Sequence, residues 1–502
     1  MNIKTGIFWA FIIAKFIIQY ILISPEYDLH RDEYLHIDQA YHLAWGYASV
    51  PPLTSWLSSI ILLLGKSEFV VKLFPALFGA LTITVVWKTI EELKGNLFAL
   101  VLGATAILFS SLLRINTLYQ PNSLDILIWT SCYFVILKYI NTKESKHLYF
   151  LAILFAVGFL NKYNIVFLIL GLLPALLLTN LRKVYTNKHL YFSAILALVL
   201  ILPNLIWQYQ NDFPVFKHLE ELTKTQLENS SRFTFLNEQI MFFLGSLFVI
   251  LAAFTAFFIY EPFRKYQVFF WSFLFTLLIF TYFKAKGYYA IGLYPILIAF
   301  GSVYLSVLLS KGRRRYLQPV AIIIPILLFI PTLSFLYPNV PPSVLEERYK
   351  EMGQPRWEDG KEHPIPQDFS DMLGWKEMAH KVDSALNTIQ DKEHTLILCS
   401  NYGEAGAFNF YTKNKTHQAV SFNADYINWF DLSKEIKNII MVHDLTDNDL
   451  DRDKEKPLFE TVEYFDEIRT PLAREKGTRI HILKDAKTDI NKLILQEIEE
   501  RK

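Results

Sequence analysis

Residues Tyr288–Arg315 read YYAIGLYPILIAFGSVYLSVLLSKGRRR. From Tyr288 to Leu309 no side chain carries a formal charge, and the run is long enough to cross a bilayer core, which takes ~20 apolar residues in a helix. Lys311, Arg313, Arg314 and Arg315 follow at once. Cations crowded at the end of a span mark its cytoplasmic side.

Working outward, comparable runs lie at residues 7–23, 69–90, 97–113, 123–140, 148–160, 165–181, 190–207, 240–260, 267–283 and 316–337. The chain therefore reads as about eleven spans, with 148–160 the shortest of them. A further run, 53–65, is too short to span and reads as a re-entrant or interfacial helix. The first run has no small-residue cleavage site after it and reads as a retained signal anchor. Three more short loops carry Lys143 and Lys146; Arg182, Lys183 and Lys188; and Arg264 and Lys265. With these spans all four basic loops fall on one side. The expected protein is a multi-pass inner-membrane protein with a cytoplasmic N-terminus.

Composition agrees. Of 502 residues 52% are hydrophobic and 16% aromatic, and the mean hydropathy is +0.25. These values exclude an ordinary soluble domain. The net charge of +1 offers nothing to nucleic acid. Past residue 338 the chain turns polar. The expected division is 1–338 for a transmembrane catalytic domain and 339–502 for an extracytoplasmic soluble α/β domain. Within the latter, 395–400 and 438–442 suit buried strands, and 374–387 has helical spacing. Cys132 and Cys399 are the two cysteines. They form no metal-ligand pattern, and a disulfide between them is not expected.

The opposite, extracytoplasmic side receives the charges that invite chemistry. Its first loop contains His30-Arg31-Asp32-Glu33. Asp32 and Glu33 directly after a span are costly unless solvated or used. A carboxylate there can serve as general base or hold a divalent cation; taken by itself, the loop is better read as a plain solvated one beside a headgroup. Arg114, Lys162, Lys284 and Lys286 also fall on this side, against the positive-inside preference. Snorkelling accounts for span-end lysines, and so does binding of a phosphate that accumulates negative charge. Asp125, just inside a span, faces a cavity or caps its helix. The stretch 216–227 looks amphipathic. The turn Asn401-Tyr402-Gly403-Glu404-Ala405-Gly406 follows a strand and reads as a structural turn with close backbone approach.

Together these segments resemble bacterial glycosyltransferase family 39, the relatives of protein O-mannosyltransferases and lipid A aminoarabinose transferases. Arg31-Asp32-Glu33, Gly46-Tyr47, Pro51-Pro52-Leu53, Gln120-Pro121 with Asp125, Asn161-Lys162-Tyr163, Gly374-Trp375 and Ser400–Ala407 carry the resemblance. It implies a GT-C membrane fold and transfer of a hexosyl or pentosyl group from a polyprenyl-phosphate donor, usually with inversion, on the extracytoplasmic face. Asp32 is then the catalytic base, supported by Glu33. Arg114, Lys162, Lys284 and Lys286 are donor-phosphate contacts, and Asp125, Tyr47 and Tyr163 line the cavity. The acceptor is a hydroxyl of a protein, lipid or glycan. Relatives often carry an acid or histidine before the Pro pair where this chain has Ala48-Ser49-Val50, so the resemblance implies no settled metal site. A transporter or lipid flippase is the alternative reading, and a non-enzymatic scaffold a third.

Overall fold

The protein is described by a computed structural model covering residues 2–222 and 231–501. Six helical segments are long and apolar enough to cross a membrane: Ile3–Ile21, Glu68–Glu92, Pro121–Thr142, Lys188–Gln210, Gly287–Leu308 and Gly312–Ser334. Two bent pairs, Ile165–Leu177 with Asn180–Thr186 and Arg232–Met241 with Leu244–Ile259, raise the number to 8 if each is one span. Leu97–Leu108 and Lys146–Asn161 form shorter apolar helices. Eleven full-length spans are thus more than length and composition support among the described residues. The short run at 53–65 forms the helix Leu53–Leu63. Of the stretch 216–227, helix Pro214–Leu222 holds the first part; residues 223–227 lie outside the described residues.

The chain divides into two units. The first comprises Met1–Ile23, Val50–Thr54 and Val71–Asn339. Its helices invert the pattern of a soluble protein. On Lys188–Gln210 the exposed stripe is Phe192, Ile195, Leu198, Val199, Leu202 and Ile206, while Ser193, Ala197, Ile201, Asn204 and Gln208 are buried. Apolar side chains face lipid, and small or polar ones face neighbouring helices. Close approach needs small residues too. A Cβ on Gly301 would overlap the backbone carbonyl of Val249, so at that point helices Tyr294–Leu308 and Leu247–Ile259 meet backbone to backbone with no side chain between them.

The second unit comprises Ser24–Ser49, Ser55–Val70 and Val340–Lys502. The sequence expectation placed 24–70 with the membrane part; most of that segment groups instead with the C-terminal residues. Five strands form one mixed sheet: β1 Thr395–Cys399, β2 Ala419–Ser421, β3 Asn438–His443, β4 Phe459–Glu467 and β5 Arg479–Ala486, in the order β2-β1-β3-β5-β4. β1 runs parallel to β2 and β3, while β5 is antiparallel to β3 and β4. The expected strands and the helix at 374–387 are present as β1, β3 and Trp375–Thr388.

Helix Arg31–Asp38 of the first loop packs on helix Tyr402–Tyr411, which follows β1. Glycine makes the contact close. A Cβ at Gly403 would stand 3.1 Å from Arg31 Cβ, and one at Gly406 2.7 Å from Tyr34 Cβ.

Candidate active site

Both facing helices are built by their caps. His30 caps Arg31–Asp38: its Nδ1 accepts the Asp32 N–H at 3.2 Å, and Glu33 Oε2 accepts the His30 N–H at 2.7 Å. Two otherwise orphaned donors are satisfied reciprocally. Glu33 is fully buried and fixes the turn that presents Asp32. The second helix repeats the device. Asn401 Oδ1 accepts from Gly403 and Glu404, and Glu404 Oε2 accepts from Ser400 and Asn401.

The two helix starts bring Asp32 and Tyr402 together. The Tyr402 hydroxyl donates to Asp32 Oδ1 at 2.7 Å. Arg31 lies over the Tyr402 ring, its Cζ 4.5 Å from the centroid. His30 sits between two carboxylates, with Nδ1 3.8 Å from Asp32 Oδ2 and Nε2 3.8 Å from Asp371 Oδ2. Arg474 Nη1 reaches both oxygens of Asp371, at 3.1 and 3.3 Å. Asp32 keeps 37% of its side chain exposed while His30 keeps 6% and Asp371 3%. One carboxylate of the cluster is therefore open to a reactant.

Charge follows from these neighbours. Burial pushes Asp32 upward, but His30, the Tyr402 hydrogen bond and Arg31 outweigh it and hold the carboxyl below its usual range. Burial also works against the Arg31 charge, and Tyr402, Asp371, Glu475 and Asp32 outweigh that too. Asp371 moves the other way, raised by burial. Tyr402 is raised well above the usual phenol by burial and by Asp32, so it remains a donor. An ionised, reachable carboxylate with its orientation fixed is suited to accept a proton.

The remaining expected residues have these places. Tyr47 belongs to the same unit, but its hydroxyl is spent within the loop, donating to the carbonyls of Gln39 and His42 at 3.0 and 3.1 Å. Arg114, Asp125, Lys162, Tyr163, Lys284 and Lys286 belong to the membrane unit. Lys162 Nζ donates to Asn122 Oδ1 at 2.7 Å and lies 4.2 Å from the Tyr289 ring centroid and 5.1 Å from that of Tyr288. Lys284 and Lys286 are on the turn before those tyrosines, and Lys284 has a left-handed φ of 52°. Asp125 is buried past the first turn of its helix, so the capping reading falls away. Its Oδ2 accepts from Asn164 Nδ2 at 3.1 Å, and its Oδ1 is buried with no hydrogen-bond partner among the described residues. Arg114 Nη1 donates to Thr117 Oγ1 at 2.7 Å. Tyr163 bridges Asn204 and Gln208 at 3.1 and 2.9 Å. Among the described residues no group of three or more His, Cys, Asp or Glu side chains is arranged to hold a metal.

His30, Asp371, Arg474 and Tyr402 were not singled out as site residues from the sequence. Tyr402 alone carried a signal, standing in the turn that resembled the family.

Taken together, the spans and the mixed-sheet unit define a multi-pass membrane protein of the GT-C architecture. Two crystal structures of ArnT from Cupriavidus metallidurans share the fold. The one bound to undecaprenyl phosphate matches at TM-score 0.63 and 14% identity, over 97% of this chain and 99% of that one. The apo form matches at TM-score 0.64 and 14% identity, over 95% and 98%. Residues 49–207 match the family described as dolichyl-phosphate-mannose-protein mannosyltransferase. The lipid A galacturonosyltransferase RgtD of Rhizobium johnstonii (strain DSM 114642 / LMG 32736 / 3841) is 25% identical over 198 residues, which is 37% of this chain and 41% of that protein. The match spans less than half the length of that curated relative. The resemblance to glycosyltransferase family 39 is borne out by these similarities.

Proposed function

We propose that the protein transfers a sugar from a polyprenyl-phosphate donor to an acceptor hydroxyl at the extracytoplasmic face of the inner membrane. The observation that carries this reading is the ionised, partly exposed Asp32 with the Tyr402 hydroxyl 2.7 Å from its Oδ1. Asp32 takes the acceptor proton as the acceptor oxygen attacks the anomeric carbon. The bond from that carbon to the phosphate oxygen breaks, and its electron pair leaves with the polyprenyl phosphate. Attack opposite the leaving group inverts the anomeric centre. The Tyr402 hydroxyl and the Arg31 charge hold the carboxylate, and the His30–Glu33 capping box holds the turn.

Lys162, Arg114, Lys284 and Lys286 are assigned to the donor phosphate, where fixed cations stabilise charge that develops on the leaving group. Asp125 and Tyr163 line the donor cavity in the transmembrane glycosyltransferase part, 1–338. The N-terminus is cytoplasmic, as the basic loops argue, and residues 339–502 are extracytoplasmic. The similarity to ArnT, RgtD and the mannosyltransferase family favours this reading over a transporter or lipid flippase.

The test is release of polyprenyl phosphate by the purified protein in nanodiscs, offered a panel of polyprenyl-phosphate-linked hexoses and pentoses. Turnover of at least one donor, abolished by Asp32→Asn in a folded protein, is expected. Retained transfer in that variant overturns the base assignment.

A further inference from the structure

β3 ends on a histidine, and β5 carries another beside it. Both His443 and His481 are buried. His443 Nε2 lies 2.9 Å from His481 Nδ1, with the ring centroids 5.0 Å apart. In such a bond one nitrogen donates and the other accepts, so at most one of the two rings can be charged. Two protonated rings would set two N–H donors against each other. The other nitrogen of His443, Nδ1, is buried with no hydrogen-bond partner among the described residues.

The loop that leaves β3, residues 444–456, brings a cation to this pair. Arg452 alone among its residues is buried, at 4% exposed, and it is held at a left-handed φ of 56°. Its Nη2 pairs with Asp447 Oδ2 at 2.6 Å and donates to the Asp449 carbonyl. Its Nη1 lies 3.6 Å from Glu455 Oε1 and 3.3 Å from Met441 Sδ, and Met441 stands directly opposite His481 in the sheet. A second tie runs the other way. Arg479, opposite His443 on β5, donates to the Leu450 carbonyl at 3.2 Å and pairs with Asp451 at 3.1 Å. Leu445 is exposed, so the loop is held by charge and hydrogen bonds more than by apolar contact, which is the profile of a segment that opens locally.

The groups that face the histidines are Arg452, Asp447, Asp451, Glu455 and Lys456 from the loop, Arg479 from β5, and Tyr464 from β4, whose ring meets His481 edge-on. Burial, and after it the Arg452 charge, push both imidazoles down to about 4. Released into water, each returns to about 6.5. Opening therefore takes up protons. The advantage of the closed loop is complete above about pH 6.5 and is lost as pH falls from there through 4. Between pH 7 and 5, one histidine with these two values favours opening by about 20-fold. We propose that residues 444–456 form an acid-released latch, in which Arg452 closes the loop against the neutral His443–His481 pair and protonation of the pair expels it. The step takes protons from solvent onto the imidazoles and breaks their mutual hydrogen bond; no covalent bond changes. It stands independently of the glycosyltransferase reading.

The experiment is hydrogen–deuterium exchange of the full-length protein in nanodiscs between pH 7 and 5, corrected for the intrinsic pH dependence of amide exchange. In peptides spanning 444–456 the opening equilibrium should rise by about tenfold or more, while β1 and helix Trp375–Thr388 stay protected. His443→Gln combined with His481→Gln keeps side chains that can hydrogen-bond but removes both titrations, and the rise should disappear. His481→Gln alone leaves one titrating ring and should show a smaller rise, which keeps the test available if the double variant does not fold. A flat wild-type response, or an undiminished rise in either variant, overturns the latch. So does a rise shared equally by β1 and helix Trp375–Thr388, which is general acid unfolding.

Discussion

Tyr402 and Asp32 stand 370 residues apart in sequence and share a 2.7 Å hydrogen bond. The tyrosine starts one helix and the aspartate starts another, and the glycines at 403 and 406 let the two helices meet. Asp32→Asn should abolish transfer by about 10²–10⁴-fold, the usual worth of a positioned proton acceptor. The amide oxygen still accepts from Tyr402, so the variant should fold, its unfolding midpoint at neutral pH lowered only by the lost charge interaction with Arg31. Donor turnover and thermal unfolding, measured on the same preparation, check both halves.

Tyr402→Phe removes a hydrogen bond that favours the ionised form of Asp32, and so raises its pKa. The acid limb of the kcat/KM profile should then move to higher pH while the alkaline limb stays. The stability sign is the same. A depressed carboxyl contributes stability above its unfolded pKa, about 3.9, and loses it as pH falls through the folded value. The variant should show less of that acid-side loss. A pH–rate series on wild type and variant decides it, and an unmoved acid limb counts against Asp32 as the titrating group.

Glu404 is a capping residue with one oxygen, Oε1, buried and unpartnered among the described residues. Burial raises its pKa well above the usual range, and Glu475 and Asp444 add to the shift. A raised carboxyl contributes stability that is complete below its unfolded pKa and is lost as pH rises through the folded one. Glu404→Gln keeps an acceptor for Ser400 and Asn401 but cannot ionise. Its unfolding midpoint should therefore fall less than that of wild type between acid and neutral pH, as thermal scans across that window would show.

Gly406→Ala tests the helix contact. The added Cβ would stand 2.7 Å from both Tyr34 Cβ and the Tyr426 hydroxyl. Overpacking of this kind costs about 1–3 kcal/mol, offset by roughly 1 kcal/mol of gained helix propensity. The larger expected effect is on turnover, because separating the helices pulls Tyr402 from Asp32. A variant with native stability and native kcat would refute the coupling.

Lys162→Met should lower kcat/KM for the donor about 10²-fold, the scale for losing one fixed cation or donor at a developing negative charge. Lys162→Arg should recover part of it. Steady-state kinetics against donor concentration, with acceptor saturating, make the comparison.

Spans such as 69–90 and 190–207 were legible because crossing a bilayer imposes long apolar runs that need no partner to be recognised. The turn at 401–406 and the strands β1 and β3 were legible for a similar reason, since turn glycines or a buried apolar run specify them. β4, Phe459–Glu467, was missed because much of its surface is solvated and its sequence polar. The membership of residues 24–70 was misread because a loop's neighbours in the chain do not reveal its neighbours in space. The same limit hid the partners of Asp32: His30 had an ordinary local role, and Asp371, Tyr402 and Arg474 meet the site only through tertiary packing.

Because helix Arg31–Asp38 belongs to a unit completed by residues beyond 340, ribosomal synthesis makes the proposed base long before its setting exists. Asp32 waits for Tyr402 until most of the polypeptide has been translated. A premature stop between helix Gly312–Ser334 and that tyrosine would leave the proposed base without its hydrogen-bond partner. The same order forbids a simple dissection: a fragment starting at 340 would expose the surface around Gly403 and Gly406 that normally receives Tyr34, so biochemical work on this unit should graft residues 24–70 onto it.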